Sequence, residues 1–472
     1  MDALKLPALP ARRLRFGIFI AFVLLCFLGG GGARDDVASL LYLRPAAILC
    51  AAAMLLLPGP VDLRAVRVPL ALCLAFALWM AIQLIPLPPG WWMALPGRAP
   101  LAEAMAMAGQ PQPWRPISIA PDLGLNSLAA MVVPIAALLG FAALDRDQRR
   151  LLLPFMLGAA LISALIGVAQ QTGGEGSPFY LYRITNRDSA VGLFANRNHQ
   201  AALLALAFPM LAVWAATGIG AFRAKSTTMI TAAAFGVFLV PMILVTGSRA
   251  GLLFGAVAAA AGWALYVQQG TAHGQIRRPW RAALLGLAAI LAAGLIFSFS
   301  AMQRAQSLER LVDVDLGGEA RLQSLPLLAE LSVAMQPWGT GLGTFDPLFR
   351  IHEPQALLSP FYLNHAHNDL IELAITGGAP ALLLLIAGLA WIVWRAWKAL
   401  RPWRSREIRI AYGRVGAIML LLLLGWSLVD YPLRTPALAM LFAIAAGWLG
   451  GAAGDPLTGG GARGGSRAER QS

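Results

Sequence analysis

The chain has 472 residues, 58% hydrophobic and 13% charged, with a formal net charge of +14. A soluble domain carries about 25% charged residues, so this composition excludes a water-soluble globular protein and points to lipid. The positive charge is therefore read loop by loop as membrane orientation and not as a nucleic-acid footprint. Cys26, Cys50 and Cys73 sit in apolar runs at no metal or redox spacing, which excludes a disulfide framework.

Lys5, Arg12, Arg13 and Arg15 precede the first apolar run in the manner of a signal peptide, but no small-residue cleavage site follows. We read it as a retained first helix. Taking apolar runs of about 17 to 25 residues as spans, the pattern predicts an all-α, polytopic transmembrane bundle of about twelve helices. The expected spans are 16–32, 43–57, 68–85, 125–144, 151–170, 198–217, 227–245, 250–267, 282–300, 369–394, 415–429 and 436–449.

With the N-terminus in the cytoplasm, most Lys and Arg fall in the cytoplasmic segments. RAWKALRPWRSREIR, between the tenth and eleventh spans, is the clearest case. Both termini are then expected inside. The one large extramembrane loop, 301–366, is expected in the periplasm, and within it 319–335 has helical apolar spacing, with a kink at Pro326, and should lie on the membrane surface or pack over the bundle. The Gly/Arg/Ser-rich tail, 454–472, cannot bury enough surface to fold and is expected to be disordered, leaving 1–453 as one transmembrane domain.

In this orientation the unusual polar sequences collect at the outer face. Asn196-Arg197-Asn198-His199 opens the sixth span, and Thr246-Gly247-Ser248-Arg249 turns between the seventh and eighth. Arg321 and GTGLGTF (339–345) lie in the large loop, and Asp430-Tyr431-Pro432-Leu433-Arg434 turns between the last two spans. The centre of the pattern is NHAHNDLIELAITGGAP, which places His365, His367, Asp369 and Glu372 at the mouth of the tenth span, where ionisable groups are expensive. Asn364 or Asn368 should cap that helix, and the acids suit the positive end of its dipole, but neither accounts for the histidines. The GTGLGTF glycines lack the strand-to-helix context of a phosphate loop and suit a turn that lets backbones pack closely. The histidine pair lacks the i, i+4 spacing of common zinc sites, so no metal is expected. Arg249 suits either lipid headgroups or a substrate anion, and Asp430 could pair with Arg434.

The order ANRNH, SRAG, GTGLGTF, HAHNDLIELAITGGAP and DYPLR resembles the O-antigen ligase and O-antigen polymerase superfamily of bacterial membrane glycosyltransferases, over 196–434. The most specific piece is His367-Asn368, nine residues, then Gly378; the ligase form continues to another Gly where this chain has Ala381. The resemblance implies a GT-C-like bundle in the bacterial inner membrane, working without a cofactor. It implies an inverting, metal-independent transfer of a glycan from an undecaprenyl-pyrophosphate carrier to a glycan or lipid A-core acceptor at the periplasmic face.

The residues suit that chemistry. His367 is the expected base, because histidine titrates nearest working pH. Arg249 is the expected counter-charge for the departing diphosphate, since a guanidinium meets phosphate oxygens two at a time. Glu372 or Asp369 is expected to orient His367. Arg197, Asn198, Arg321, His365, Asn368, Asp430 and Arg434 are the expected substrate contacts. The second enzymatic reading is repeat-unit polymerisation. A transporter or flippase is disfavoured because charged residues cluster at span ends and not at the midplane. A non-catalytic scaffold would leave His367 and Arg249 replaceable.

Overall fold

The computed structural model describes residues 11–218, 225–270, 316–358, 363–401, 405 and 407–452. The expected span 282–300, residues 301–315 of the large loop and the tail 454–472 lie outside the described residues. Among the described residues the regular elements are all helices, apart from an isolated bridge between Leu87 and Arg115.

In chain order the helices are α1 (Ala11–Gly29), α2 (Leu40–Leu56), α3 (Arg67–Ile82), α4 (Pro89–Met93), α5 (Ala99–Met107), α6 (Pro121–Ala130), α7 (Val132–Ala143) and α8 (Arg146–Gly173). They continue with α9 (Arg197–Thr217), α10 (Lys225–Val245), α11 (Arg249–Gly270), α12 (Leu316–Ala334), α13 (Phe345–His352), α14 (Asp369–Leu400), α15 (Ile408–Trp426) and α16 (Pro436–Gly451). Each expected span that falls on described residues is a helix. Seven of the described helices, counting α6 and α7 as one, are long and apolar enough to cross a membrane, and α2, α3 and α16 are shorter apolar helices. The protein is a polytopic helical bundle.

The expected fourth span is divided, with Met131 between α6 and α7. Pro134 explains the break: it lacks an amide hydrogen, and its ring would press on the carbonyl four residues back, at Ala130. At the start of α8, Asp145 accepts from the amides of Asp147 and Gln148 at 3.0 Å, and Gln148 accepts from the Asp145 amide at 3.2 Å. This reciprocal box fixes the helix start.

α9 is the hub. Leu203, Ala205, Ala207, Met210 and Val213 are wholly buried on its various sides, and α8, α10, α11 and α15 pack around it. A helix apolar all round belongs at the centre of a bundle. Because lipid is as apolar as leucine, helix association in a membrane rests on close packing rather than on escape from water. The α15–α16 pair shows how this is met: a Cβ on Gly416 would overlap the Ala445 carbonyl, so the two backbones nearly touch.

α12 runs through Pro326 and packs over α14, burying Leu328 and Leu331 with Met335 and Ile375, which is the second of the two placements expected for 319–335. The GTGLGTF segment also meets α14. Thr340 and Gly341 donate their amides to the carbonyls of Ile375 and Thr376 at 3.1 and 2.9 Å. α14 is kinked at that level by Gly378, whose φ of 64° and ψ of −165° are non-helical. A Cβ there would overlap Pro337 O, so only glycine permits both the backbone angle and the contact. The glycine run therefore serves as a close-packing turn.

Candidate active site

Asn368 begins the site. Its backbone is extended, and its side-chain oxygen accepts from the amides of Leu370 and Ile371, capping α14. Its amide nitrogen donates to Leu428 O at 3.0 Å, while the Asp369 amide donates to Ser427 O at 2.8 Å. The HAHN loop is thereby fastened to the end of α15. Immediately before the cap, His367 has φ of 50°, the one positive φ outside glycine among the described residues. Such a conformation persists only where its surroundings hold it.

Two histidine–carboxylate pairs result. His367 Nδ1 lies 3.2 Å from Asp430 Oδ1, and His365 Nδ1 lies 3.1 Å from Glu372 Oε1. An ionised carboxylate only accepts, so in each ring Nδ1 carries the hydrogen and Nε2 is left as the basic nitrogen. The acid that orients His367 is therefore Asp430, contributed by the DYPLR turn, and not Glu372 or Asp369. Glu372 instead holds the segment between the histidines: its Oε2 accepts the Ala366 amide at 3.0 Å, and Arg434 contacts its Oε1 at 3.0 Å. Arg434 also donates to Asp369 Oδ1 at 3.1 Å, so it bridges the two acids of the first α14 turn and does not pair with Asp430.

Asp430 is fully buried and held from three sides. Besides His367, it accepts the Asn198 amide at 2.6 Å and the Tyr431 backbone amide at 3.0 Å. Burial alone would raise its pKa, but the His367 hydrogen bond, the nearby His199 and His367 rings and the Asn198 amide together hold the carboxyl well below the ordinary range. Arg434 moves the opposite way from the usual effect of burial, because Glu372 and Asp369 raise it further. Asn198 in turn accepts from the Ser248 hydroxyl at 2.7 Å, so a hydrogen-bonded chain runs Ser248, Asn198, Asp430, His367. It draws one residue from each of the SRAG, ANRNH, DYPLR and HAHN motifs.

Arg197 and Arg249 occupy the first positions of α9 and α11. The Arg197 guanidinium lies beside the TGSR turn, 3.8 Å from where a Cβ on Gly247 would stand, so the two helix starts share one corner. Helix N-termini carry positive partial charge, and arginines placed on them strengthen an anion site. Arg321 falls on α12, but its side chain lies outside the described residues.

Sequence reasoning placed His199 and Tyr431 in the outer polar clusters without giving them a role, and it missed Gln83 and Arg98. Tyr431 stands among three histidines, with ring centroids 4.3, 4.9 and 5.3 Å from those of His365, His367 and His199. His199 is 1% exposed and has no hydrogen-bond partner for either ring nitrogen. On the far side of α14, Gln83 donates to Trp338 O and Thr376 O and accepts from the Leu342 amide. Arg98, buried in the loop before α5 and pushed down by burial to about 10, donates to Gly339 O and Ile117 O. A glutamine closing an apolar run and an arginine between Gly97 and Ala99 were the available signals.

Residues 234–386 match the family model described as O-antigen ligase. That match supports membership of the O-antigen ligase superfamily. The match to that superfamily takes in α11 with its SRAG turn, the glycine loop and the HAHN motif through the Gly378 kink. It stops short of the ANRNH and DYPLR turns, which the geometry joins to the superfamily segment through Asn198 and Asp430. No curated protein matches the chain.

Proposed function

We propose that this protein transfers a glycan from an undecaprenyl-pyrophosphate carrier to an acceptor hydroxyl, on a glycan or lipid A-core, at the periplasmic face of the bacterial inner membrane. The observation that carries this reading is the hydrogen-bonded chain from Ser248 to His367, which unites four dispersed motifs beside the arginine-bearing starts of α9 and α11.

In the proposed step, His367 Nε2 takes the proton from the acceptor hydroxyl as its oxygen bonds to the anomeric carbon. The bond from that carbon to the diphosphate breaks, and its electron pair leaves on phosphate. Attack opposite the leaving group inverts the configuration. Asp430 fixes the His367 tautomer and balances the imidazolium that forms, as buried carboxylates do for catalytic histidines. Arg249 and Arg197 hold the diphosphate charge, the work a divalent ion would otherwise do, so transfer is expected to need no metal. The prenyl tail remains in lipid while the sugar lies in water.

The test is transfer from a defined polyprenyl-diphosphate glycan by the purified protein, with and without exhaustive chelation, followed by analysis of the product. A glycan joined to a lipid A-core acceptor supports ligation, and a lengthened carrier-linked glycan supports polymerisation. No transfer to either acceptor contradicts the reading, and activity lost in chelator and restored by one divalent ion contradicts its metal-independent form.

A further inference from the structure

The stretch between α3 and α6 takes no part in the transfer chemistry, yet it carries Trp91, Trp92 and Trp114. Its placement follows from α3. Leu74, Leu78 and Ile82 recur every four residues on one side of that helix and are exposed, and Ile85 extends the row beyond its end. In a membrane bundle such a row faces acyl chains. α3 has 16 residues, about 24 Å of rise against a hydrocarbon core of about 30 Å, so lipid-facing surface has to continue past its last turn.

It does continue. Trp91, Met93 and Trp114 are 71%, 44% and 64% exposed, and the antiparallel Leu87–Arg115 bridge joins the segment bearing Trp114 to the chain just past the row. Trp92 by contrast is buried, with the Arg115 guanidinium 5.0 Å above its ring. Glu103 and Gln110, at the far end of the same stretch, are exposed and polar. The stretch thus has an aromatic part that follows the lipid-facing row and, farther along, a part where Glu103 and Gln110 are exposed together with Met107. Indoles with an apolar body and an N–H tip concentrate at the level of lipid headgroups.

We propose that residues 86–118 form an interfacial anchor, with Trp91, Met93 and Trp114 seated at the headgroup–acyl boundary of the leaflet next to the transfer site. The anchor is tied to that site by protein contacts. Buried Arg98 donates to Pro96 O, Ile117 O and Gly339 O, and the Ile119 amide donates to Thr340 O at 2.9 Å. Gly339 and Thr340 belong to the loop that seats the α14 kink. Holding the anchor at the interface therefore holds the His367 end of α14 at a fixed height, where a lipid-linked donor presents its diphosphate; this second part rests on the proposed function.

The test uses the full chain in vesicles of phosphatidylethanolamine and phosphatidylglycerol, with Cys26, Cys50 and Cys73 replaced by Ala. Nitroxide labels are placed by Trp91→Cys, Trp114→Cys and Gln110→Cys. We expect positions 91 and 114 to collide mainly with oxygen, as labels at the acyl boundary do, and position 110 to collide mainly with a water-soluble nickel chelate. Equal nickel accessibility at all three positions overturns the anchor, and nickel accessibility at 91 and 114 that free oligosaccharide blocks overturns it in favour of a sugar-stacking surface. Neither reading needs an active enzyme. For the link to the site, Trp91→Glu with Trp114→Glu should lower transfer about fivefold or more, while the Tyr pair, which keeps an interfacial ring, should preserve it. An interfacial depth combined with full transfer by the Glu pair overturns that link.

Discussion

The two ends of the bundle use charge in opposite ways. At the end rich in Lys and Arg, cations are spent on the carbonyls and rings of the scaffold: Arg149 donates to Phe141 O and Ala142 O, Arg15 to Met54 O and Pro60 O, and Arg414 to Ala399 O, while Lys398 lies 3.9 Å over Trp394. At the other end, carboxylates are buried against histidines, and the chain of contacts passes through four separate segments. Capping a helix end with arginine satisfies backbone groups and asks nothing of a substrate. Burying an acid beside an imidazole places a proton acceptor and its counter-charge in one geometry, an arrangement that suits chemistry as well as the holding of a loop.

After His367 itself, the largest expected effect that separates the ends is at Arg249. Arg249→Lys keeps the charge but loses the planar two-point contact, and transfer should fall about 10²-fold in steady-state assays of purified protein, with thermal stability unchanged. Asp430→Asn should lower turnover by about 10 to 100-fold, because the ring keeps its place but loses the negative charge beside it, and the amide can offer Nδ1 a donor where the carboxylate only accepts. The same variant carries a pH signature. The folded Asp430 carboxyl is held below its unfolded value of about 3.9, so its contribution to stability is present above that pH and is lost as pH falls toward the folded value. Stability of Asp430→Asn, followed by thermal unfolding, should be flatter with pH below about 4 than that of the native protein.

Arg434→Gln leaves Asp369 and Glu372 together without their cation and should destabilise by about 3 kcal/mol. Glu372→Gln in the same chain should recover part of that loss, and a strictly additive double-mutant cycle would contradict the bridging role. The smallest effect belongs to the end rich in Lys and Arg. Arg149→Met should cost about 1 kcal/mol for its carbonyl contacts and leave kcat within twofold; a large fall in kcat would break the distinction between the ends.

Much of this was legible in the sequence, for identifiable reasons. Span positions follow from hydropathy alone, since a bilayer sets the length of an apolar run. The gathering of ANRNH, SRAG, HAHN and DYPLR at one end followed from their places at span ends. The pairing within that end did not. Asp430 is 63 residues from His367, whereas Glu372 is near in sequence, and a cap conformation with positive φ turns the ring away from the near acid toward the distant one. The role of α3 and the stretch after it was hidden for a related reason: Gln83 and Arg98 act by donating to the carbonyls of Trp338 and Gly339, far along the chain, and a carbonyl leaves no mark in the sequence.

The central claim is that the pair formed by His367 and Asp430 is the reactive one, and that the pair formed by His365 and Glu372 shapes the loop. It is tested most directly by single-turnover transfer from a polyprenyl-diphosphate glycan with His367→Ala and His365→Ala at matched folding. The account predicts a fall of about 10² to 10⁴-fold for His367→Ala, partly restored by added imidazole, and a fall of no more than about tenfold for His365→Ala. Near-native rates for His367→Ala, or a larger loss at His365, would contradict it.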